Sequence, residues 1–275
     1  MDESNIKGDV YFISHGGPVT GDQKQSEPYK AWQSVGRIIQ ANPPKGIVIV
    51  SAHWENHTDD GVLVNSNRTN PVIYDFYNFP KHFYSLKFQS HFDRELEDSV
   101  LRALNDEGIR VGRQDRGLDH GIWIAFRAMF GESTNIPIIQ VSLPSTENPL
   151  DSVKLGKALG KLRGRGYTIV GSGQGIHNVR DLIQGRPMPY SRPFLSLLQR
   201  SISSSDPISS TLNLIQQPLY RLAHPSDEHF FPLFVSLGAV DPEDKRDDVY
   251  MGVVDLKGNN VEDQGLGWCL WRWKS

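Results

Sequence analysis

Nine histidines are spread through the sequence, and where they fall relative to the apolar runs is more informative than their number. His15 directly follows the run 9–14 (DVYFIS), and His53 lies two residues after the run 46–51 (GIVIVS). His177 comes a few residues after a third run, 167–171 (YTIVG). Short apolar runs of this kind, bounded by Gly or Ser, are the pattern of strands buried on both faces. All three imidazoles thus leave the carboxyl ends of expected parallel strands, the edge where open α/β sheets bind ligands. Any one of them alone reads as a loop or core residue hydrogen-bonded to backbone. Three on one rim read as a site.

The local contexts support a site. In SHGGP (14–18) two glycines and a proline follow His15, so the backbone can turn sharply and approach whatever the imidazole holds. GSGQGIHN (171–178) does the same ahead of His177. A glycine-rich loop after a strand can instead cradle phosphate, but the Gly-x-Gly-x-Gly spacing is not a full dinucleotide fingerprint and no Walker lysine is present. HPSDEHF (224–230) adds His224, His229 and two carboxylates at the start of an expected helix, 228–238. Ser226 or Asp227 would serve there as the N-cap. Capping leaves His229 unexplained, because an imidazole entering an apolar run needs a partner. Glu228 beside it would point about 100° away on a helix, so one of the two reaches a metal, and His229 is the better fit. GLDHGIW (117–123) places His120 in a glycine-flanked turn before a helix at 122–130, where a structural turn competes with a functional one. His57, His82 and His91 lie in polar surroundings and read as surface residues. The aromatic segment YDFYNFP (74–80) could stack on an aromatic substrate or simply pack a core or lid.

Imidazoles with one carboxylate suit catalytic zinc or non-haem Fe(II). The lone Cys269 excludes a thiolate zinc site and an internal disulfide.

The elements that must position these residues alternate. Between the first two strands, 27–40 carries apolar residues at helical spacing, giving a β-α-β unit. A charged amphipathic helix at 91–105, a strand at 136–142, a helix at 151–162 and the strand 167–171 continue the pattern. The expectation is an α/β fold, one mostly parallel central sheet with helices on both faces, in a single domain over 1–275. After Gly185 the pattern is helical through 191–222, and 249–256 and 265–271 return as edge strands. The serine run 201–205 reads as a solvated loop.

Bulk properties exclude several partners. A formal net charge of -3 without long basic or acidic runs gives no electrostatic case for nucleic acid or an anionic membrane. The opening MDESNIKGDV lacks the features of a secretory signal, and no apolar run approaches a membrane span, so a cytoplasmic location is expected.

Seven segments resemble, in order, the class III extradiol ring-cleavage dioxygenases, in the 4,5-DOPA dioxygenase branch related to the protocatechuate 4,5-dioxygenase catalytic subunit. They are SHGGP, VSAHWE (50–55), YDFYNFP, GLDHGIW, IPIIQVSLP (136–144), GSGQGIHN and HPSDEHFFPL (224–233). The resemblance implies an α/β fold and one divalent metal, Fe(II) for catalysis with Zn as a possible bound species. It implies His15, His53 and His229 as ligands and His177 as the active-site base and a potential fourth ligand. His120 matches a position that either supports the ligands from behind or contacts substrate, and it or His177 would return a proton during catalysis. In the protocatechuate branch the third ligand is a glutamate, which makes Glu228 a rival to His229. The GQGI before His177 and the Trp-rich GLGWCLWRWKS (265–275) depart from the family pattern and point to a different pocket shape.

The implied activity is insertion of both atoms of O₂ into a catecholic, DOPA-like ring beside the diol, giving a muconic semialdehyde. The proton would pass to His177, whose ordinary pKa near 6.5 suits a base. A zinc-dependent hydrolase would use the same ligands to activate water, and a non-enzymatic metal-binding interaction protein is a third reading. The aromatic segments favour the dioxygenase.

Overall fold

In the computed structural model, which describes residues 7–58, 61–146 and 148–275, the apolar runs become strands whose alternate side chains enter two opposite cores. The first run forms β1 (Val10–Ser14) and the second forms β2 (Gly46–Glu55). Val10, Phe12, Val48 and Val50 face one core, whereas Tyr11, Ile13, Ile47 and Ile49 face the other. A strand buried on both sides has no polar face to show, which is why these runs are continuously apolar.

The remaining strands are β3 (Val62–Asn65), β4 (Gln89–His91), β5 (Val111–Gln114), β6 (Ser133–Leu143), β7 (Tyr167–Gly173), β8 (Lys245–Val254) and β9 (Leu266–Lys274). Their order across the sheet is β5-β3-β6-β2-β7-β1-β9-β8, with β4 pairing to β6 off that path. The centre, β6-β2-β7-β1, is parallel throughout. β9 pairs antiparallel with β1 and β8 closes that side. The helices are α1 (Glu27–Ala41), α2 (Arg94–Asp106), α3 (His120–Phe130), α4 (Pro149–Gly160), α5 (Val179–Ile183), α6 (Ser191–Ile202), α7 (Pro207–Leu214), α8 (Pro218–Ala223) and α9 (Phe231–Ala239). Trp32 and Val35 of α1 and Trp123 and Phe126 of α3 fill one core, while Val153 and Leu155 of α4 and Phe234 of α9 fill the other. Helices therefore cover both faces of a mostly parallel sheet, as the alternation implied. Among the described residues, no helix is long and apolar enough to cross a membrane.

Several boundaries differ from the sequence reading. The span 191–222 is three helices, because Pro207 and Pro218 each sit in a first turn and start a new helix. α9 begins at Phe231, with Pro232 in its first turn and no side-chain cap. Ser226 instead donates to Glu228, and Asp227 accepts from the Tyr220 hydroxyl. α2 begins after His91, which ends β4, and Asp93 caps it by accepting from Leu96 N at 2.7 Å. β9 is an interior strand and not an edge, leaving β8 as the edge on that side.

Arg163 locks the far end of the sheet. Its guanidinium is fully buried and donates to the carbonyls of Gly8 and Ala239 and to Asp241 and the equally buried Asp244. Burial would raise the Asp244 pKa, but its bonds from Arg163 and the Asp241 backbone outweigh this and hold it below the usual carboxylate value. Asp244→Ala would leave a buried cation short of its counter-charge. We expect a loss of about 3 kcal/mol in urea unfolding, whereas removal of the largely exposed Glu243 should cost little.

Candidate active site

β7 lies between β2 and β1 in the sheet, so the carboxyl ends of these three parallel strands are neighbours. His15 follows the last residue of β1, His53 sits in the last turn of pleat of β2, and His177 follows β7 after a short loop. His120 opens α3, and His229 sits in the turn 228–230 ahead of α9. All five rings border one cavity of about 220 Å³ together with Phe76, Tyr77, Phe79 and Leu266. His57, His82 and His91 are exposed elsewhere.

The Nε2 atoms of His15 and His53 face each other at 3.0 Å. Their Nδ1 atoms are tied elsewhere. Ser172 Oγ donates to the Gly121 carbonyl, so it is left to accept from His15 Nδ1 at 3.0 Å. His53 Nδ1 lies 3.4 Å from the Asp75 carboxylate. With both Nδ1 atoms protonated, two Nε2 lone pairs point at each other and repel unless a cation lies between them. Two ligands on bonds of about 2.1 Å at a right angle are about 3.0 Å apart, so this pair fits a shared metal.

The third position has two claimants. His15, His53 and His120 offer ligand atoms that all lie within 4.8 Å of one another, and so do His177, Glu228 and His229. The expected ligand set is thus divided between two adjoining groups. Ring positions discriminate further: the centroids of His15, His53 and His229 are 4.9, 5.0 and 5.3 Å apart, a nearly equilateral triangle. His120 is lopsided, 4.1 Å from His53 and 6.0 Å from His15. Glu228 accepts from His229 Nδ1 at 2.9 Å, which directs the imidazole's Nε2 away from the carboxylate. His177 stacks face to face on His229 with centroids 3.4 Å apart.

Sequence reasoning missed the residues that hold these rings. Asp75, noticed only as part of an aromatic segment, accepts from both the backbone N and Nδ1 of His120 at 2.9 Å. Asp119 looks like an N-cap, yet makes no cap bond. Its carboxylate takes Ser51 Oγ at 2.8 Å, Arg116 Nη1 at 3.1 Å and Gln140, while Arg116 Nη2 donates to the His53 carbonyl at 3.0 Å. Only proximity in the fold reveals these groups. Gly121 is required for the approach of α3 to β2, since a Cβ there would lie 2.8 Å from Ser51 Oγ and 2.9 Å from His53 Cδ2. His224 is structural: it is buried among Tyr220, Phe194 and Phe230, with Nε2 bonded to the Gly175 carbonyl at 2.9 Å.

Burial, reinforced by the neighbouring imidazoles, lowers the pKa of His15 and His229 well below the ordinary histidine value. Burial and His120 bring His53 down to about 4, and burial and His224 bring His177 down to about 3. His15, His53, His177 and His229 are therefore neutral at pH 7, the form in which imidazole binds metal.

An α/β sheet carrying neutral imidazoles on the carboxyl edge of three adjacent parallel strands is an enzyme architecture with a metal-type centre. Residues 9–254 match the catalytic LigB subunit of aromatic ring-opening dioxygenase, and the chain belongs to that family of ring-opening enzymes. It is 34% identical over 247 residues to a 4,5-DOPA dioxygenase extradiol of Beta vulgaris, covering 88% of this chain and 90% of the relative. It is 36% identical over 209 residues to a 4,5-DOPA dioxygenase extradiol-like protein of Schizosaccharomyces pombe, covering 73% and 69%. The crystal structure of an uncharacterized Escherichia coli K12 protein shares the fold, with a TM-score of 0.72 at 23% identity over 96% of this chain and 99% of that one.

The depressed pKa values set the acid response. An unfolded histidine protonates near 6.5, the folded His53 and His177 only near 4 and 3, and the folded His15 and His229 well below the ordinary value, so the unfolded state binds more protons below pH 6.5. Stability is then complete above pH 6.5 and falls as pH drops, by up to about 1.4 kcal/mol per unit for each such histidine. Thermal melts of chelator-treated protein should show the midpoint dropping steeply from pH 6.5 to 5. A flat profile would mean that the rings are not buried in neutral form.

Proposed function

We propose that the chain is, over 1–275, one catalytic domain of a non-haem, metal-dependent extradiol dioxygenase, with His15, His53 and His229 as ligands to one divalent ion. The observation that carries this is the His15–His53 pair, 3.0 Å apart through Nε2 with both Nδ1 atoms engaged. Fe(II) is the catalytic ion of this reading, because redox chemistry with O₂ is what that ion supplies when bound; Zn fits the same donors. The substrate is a catechol, DOPA-like in being one ring with a short substituent, as the relatives named for DOPA suggest. Both O₂ atoms enter the product, the ring C–C bond beside the diol breaks, and a muconic semialdehyde results.

The chain's own residues bind, orient and move protons. Phe76 and Phe79 form apolar walls for the ring in a cavity that opens to solvent on one side. His177 is in free-base form at neutral pH and takes the diol proton. Its low pKa replaces the ordinary value assumed from sequence, and an anionic diolate beside it would raise that value by opposite-charge attraction. His120 borders the same cavity with its Nδ1 held by the Asp75 carboxylate at 2.9 Å. It is therefore suited to returning the proton to the opened ring. His177 remains available as a fourth ligand when zinc is bound.

Two measurements test this. Metal analysis should show one ion per chain, with occupancy lost in His15→Ala, His53→Ala and His229→Ala but kept in His57→Ala and His120→Ala; the reverse result for His120 and His229 would move the third ligand to His120. With ¹⁸O₂, both labels should reach the ring-opened product, apart from carbonyl exchange with water, and turnover should stop under anaerobiosis. A zinc hydrolase would work undiminished without O₂.

His177→Asn should lower kcat by about 10²- to 10⁴-fold while iron binding survives. Anaerobic catechol chelation by this variant should need higher pH, since the diol must ionise unaided. Loss of metal as complete as in His15→Ala would instead make His177 a primary ligand.

A further inference from the structure

The cavity wall says more about the substrate than its diol. Besides the histidines and the Gly16–Pro18 turn it is lined by Phe76, Tyr77, Phe79, Val179 and Leu266, with Gln174 the one amide among them. Among the described residues, no lysine or arginine lines it. Arg116, the guanidinium tied to this site, is committed to Asp119, Gln140 and the His53 carbonyl.

The carboxylates around the site are placed to oppose a further negative charge. Glu228 lies 2.9 Å from His229 and Asp75 lies 2.9 Å from His120. Together they already match the two charges of a divalent ion, and a bound diolate adds more negative charge. An anionic substituent, or the zwitterionic one of L-DOPA, would lose its water against aromatic and aliphatic walls and find no protein cation for its carboxylate, which is costly at such a wall. An uncharged apolar substituent gains from the same walls. The cavity of about 220 Å³ is small beside sites for drug-sized ligands, which suits one ring with a short group. Tyr77 is 82% exposed and marks the cavity mouth, where such a group would emerge.

Resting on the catechol reading, we infer that the preferred substrate is a catechol whose ring substituent is uncharged and apolar, and that catechols bearing a carboxylate, L-DOPA included, are discriminated against by this wall. Phe79, Val179 and Leu266 are then specificity-determining residues.

The test compares 4-ethylcatechol with 3,4-dihydroxyphenylacetate and L-DOPA on Fe(II)-loaded protein, reading O₂ uptake, and on the Zn-loaded protein, reading anaerobic Kd by calorimetry. We expect kcat/KM and affinity for both acids to be at least tenfold poorer than for 4-ethylcatechol. Leu266→Arg and Val179→Arg, which add a guanidinium to the wall, should narrow or invert that ratio. Acids bound and cleaved as well as 4-ethylcatechol would overturn the inference while leaving ring cleavage intact. Absence of both uptake and binding for every catechol would overturn the dioxygenase reading itself, and this inference with it.

Discussion

The site depends on contacts made by the wrong side of four of its imidazoles. Ser172 and Glu228 take the Nδ1 protons of His15 and His229, and Asp75 takes that of His120 while lying beside Nδ1 of His53. Fixing Nδ1 decides the tautomer, and the tautomer decides that Nε2 lone pairs converge on the cavity. Without these partners, five buried imidazoles would satisfy one another with mutual hydrogen bonds, and the donor set would collapse. The supporting atoms come from β7, the 74–80 segment and the turn before α9, so fold and tautomer are specified by the same contacts.

The sheet makes the convergence possible. β2, β7 and β1 run in register, Val50 opposite Gly171 and Phe12 opposite Gly171 as well, so β1 and β7 finish level, with Ser14 opposite Gly173, while β2 runs a few residues on to Glu55 and carries His53. A helix is brought onto that edge only where side chains are absent. Gly121 lets α3 lie against Ser51 and His53, and Gly173 does the same for the His229 backbone, whose carbonyl would lie 2.3 Å from an added Cβ. The cost is a cluster of desolvated bases with low proton affinity, which a bound cation would compensate.

How much of this could be read from sequence follows from where each signal resides. β1, β2 and β7 announce themselves because burial on both faces leaves an uninterrupted apolar run, and His15, His53 and His177 stand directly behind those runs. β3 and β5 carry four residues each, β5 half-exposed with Arg113 and Gln114, and no period emerges from so short a stretch. His229 was singled out as an imidazole in an apolar run, although the helix it was assigned to starts two residues later. Asp75 was invisible as a functional group because its partner His120 is 45 residues away and neither local period nor spacing links them. Asp119 precedes α3 with the chemistry of a cap but has the role of a strut beneath Ser51 and Arg116.

One further consequence lies in β9. This strand pairs with β1 across some 255 residues of chain: Cys269 N donates to Ser14 Oγ at 2.9 Å, and Gln174 donates to the Gly267 carbonyl at 2.9 Å. Leu266 lines the cavity and Trp268 packs against the turn at Gly16, whose φ of +55 suits glycine. During synthesis, β1 and its histidine emerge from the ribosome long before this partner exists. The half of the sheet built by β2, β6 and β7 can form early, but the pocket around His15 waits for the strand made last among the nine. Contacts of such long range are slow to form, so a nascent chain carries its imidazoles in an open, water-filled edge until β9 docks.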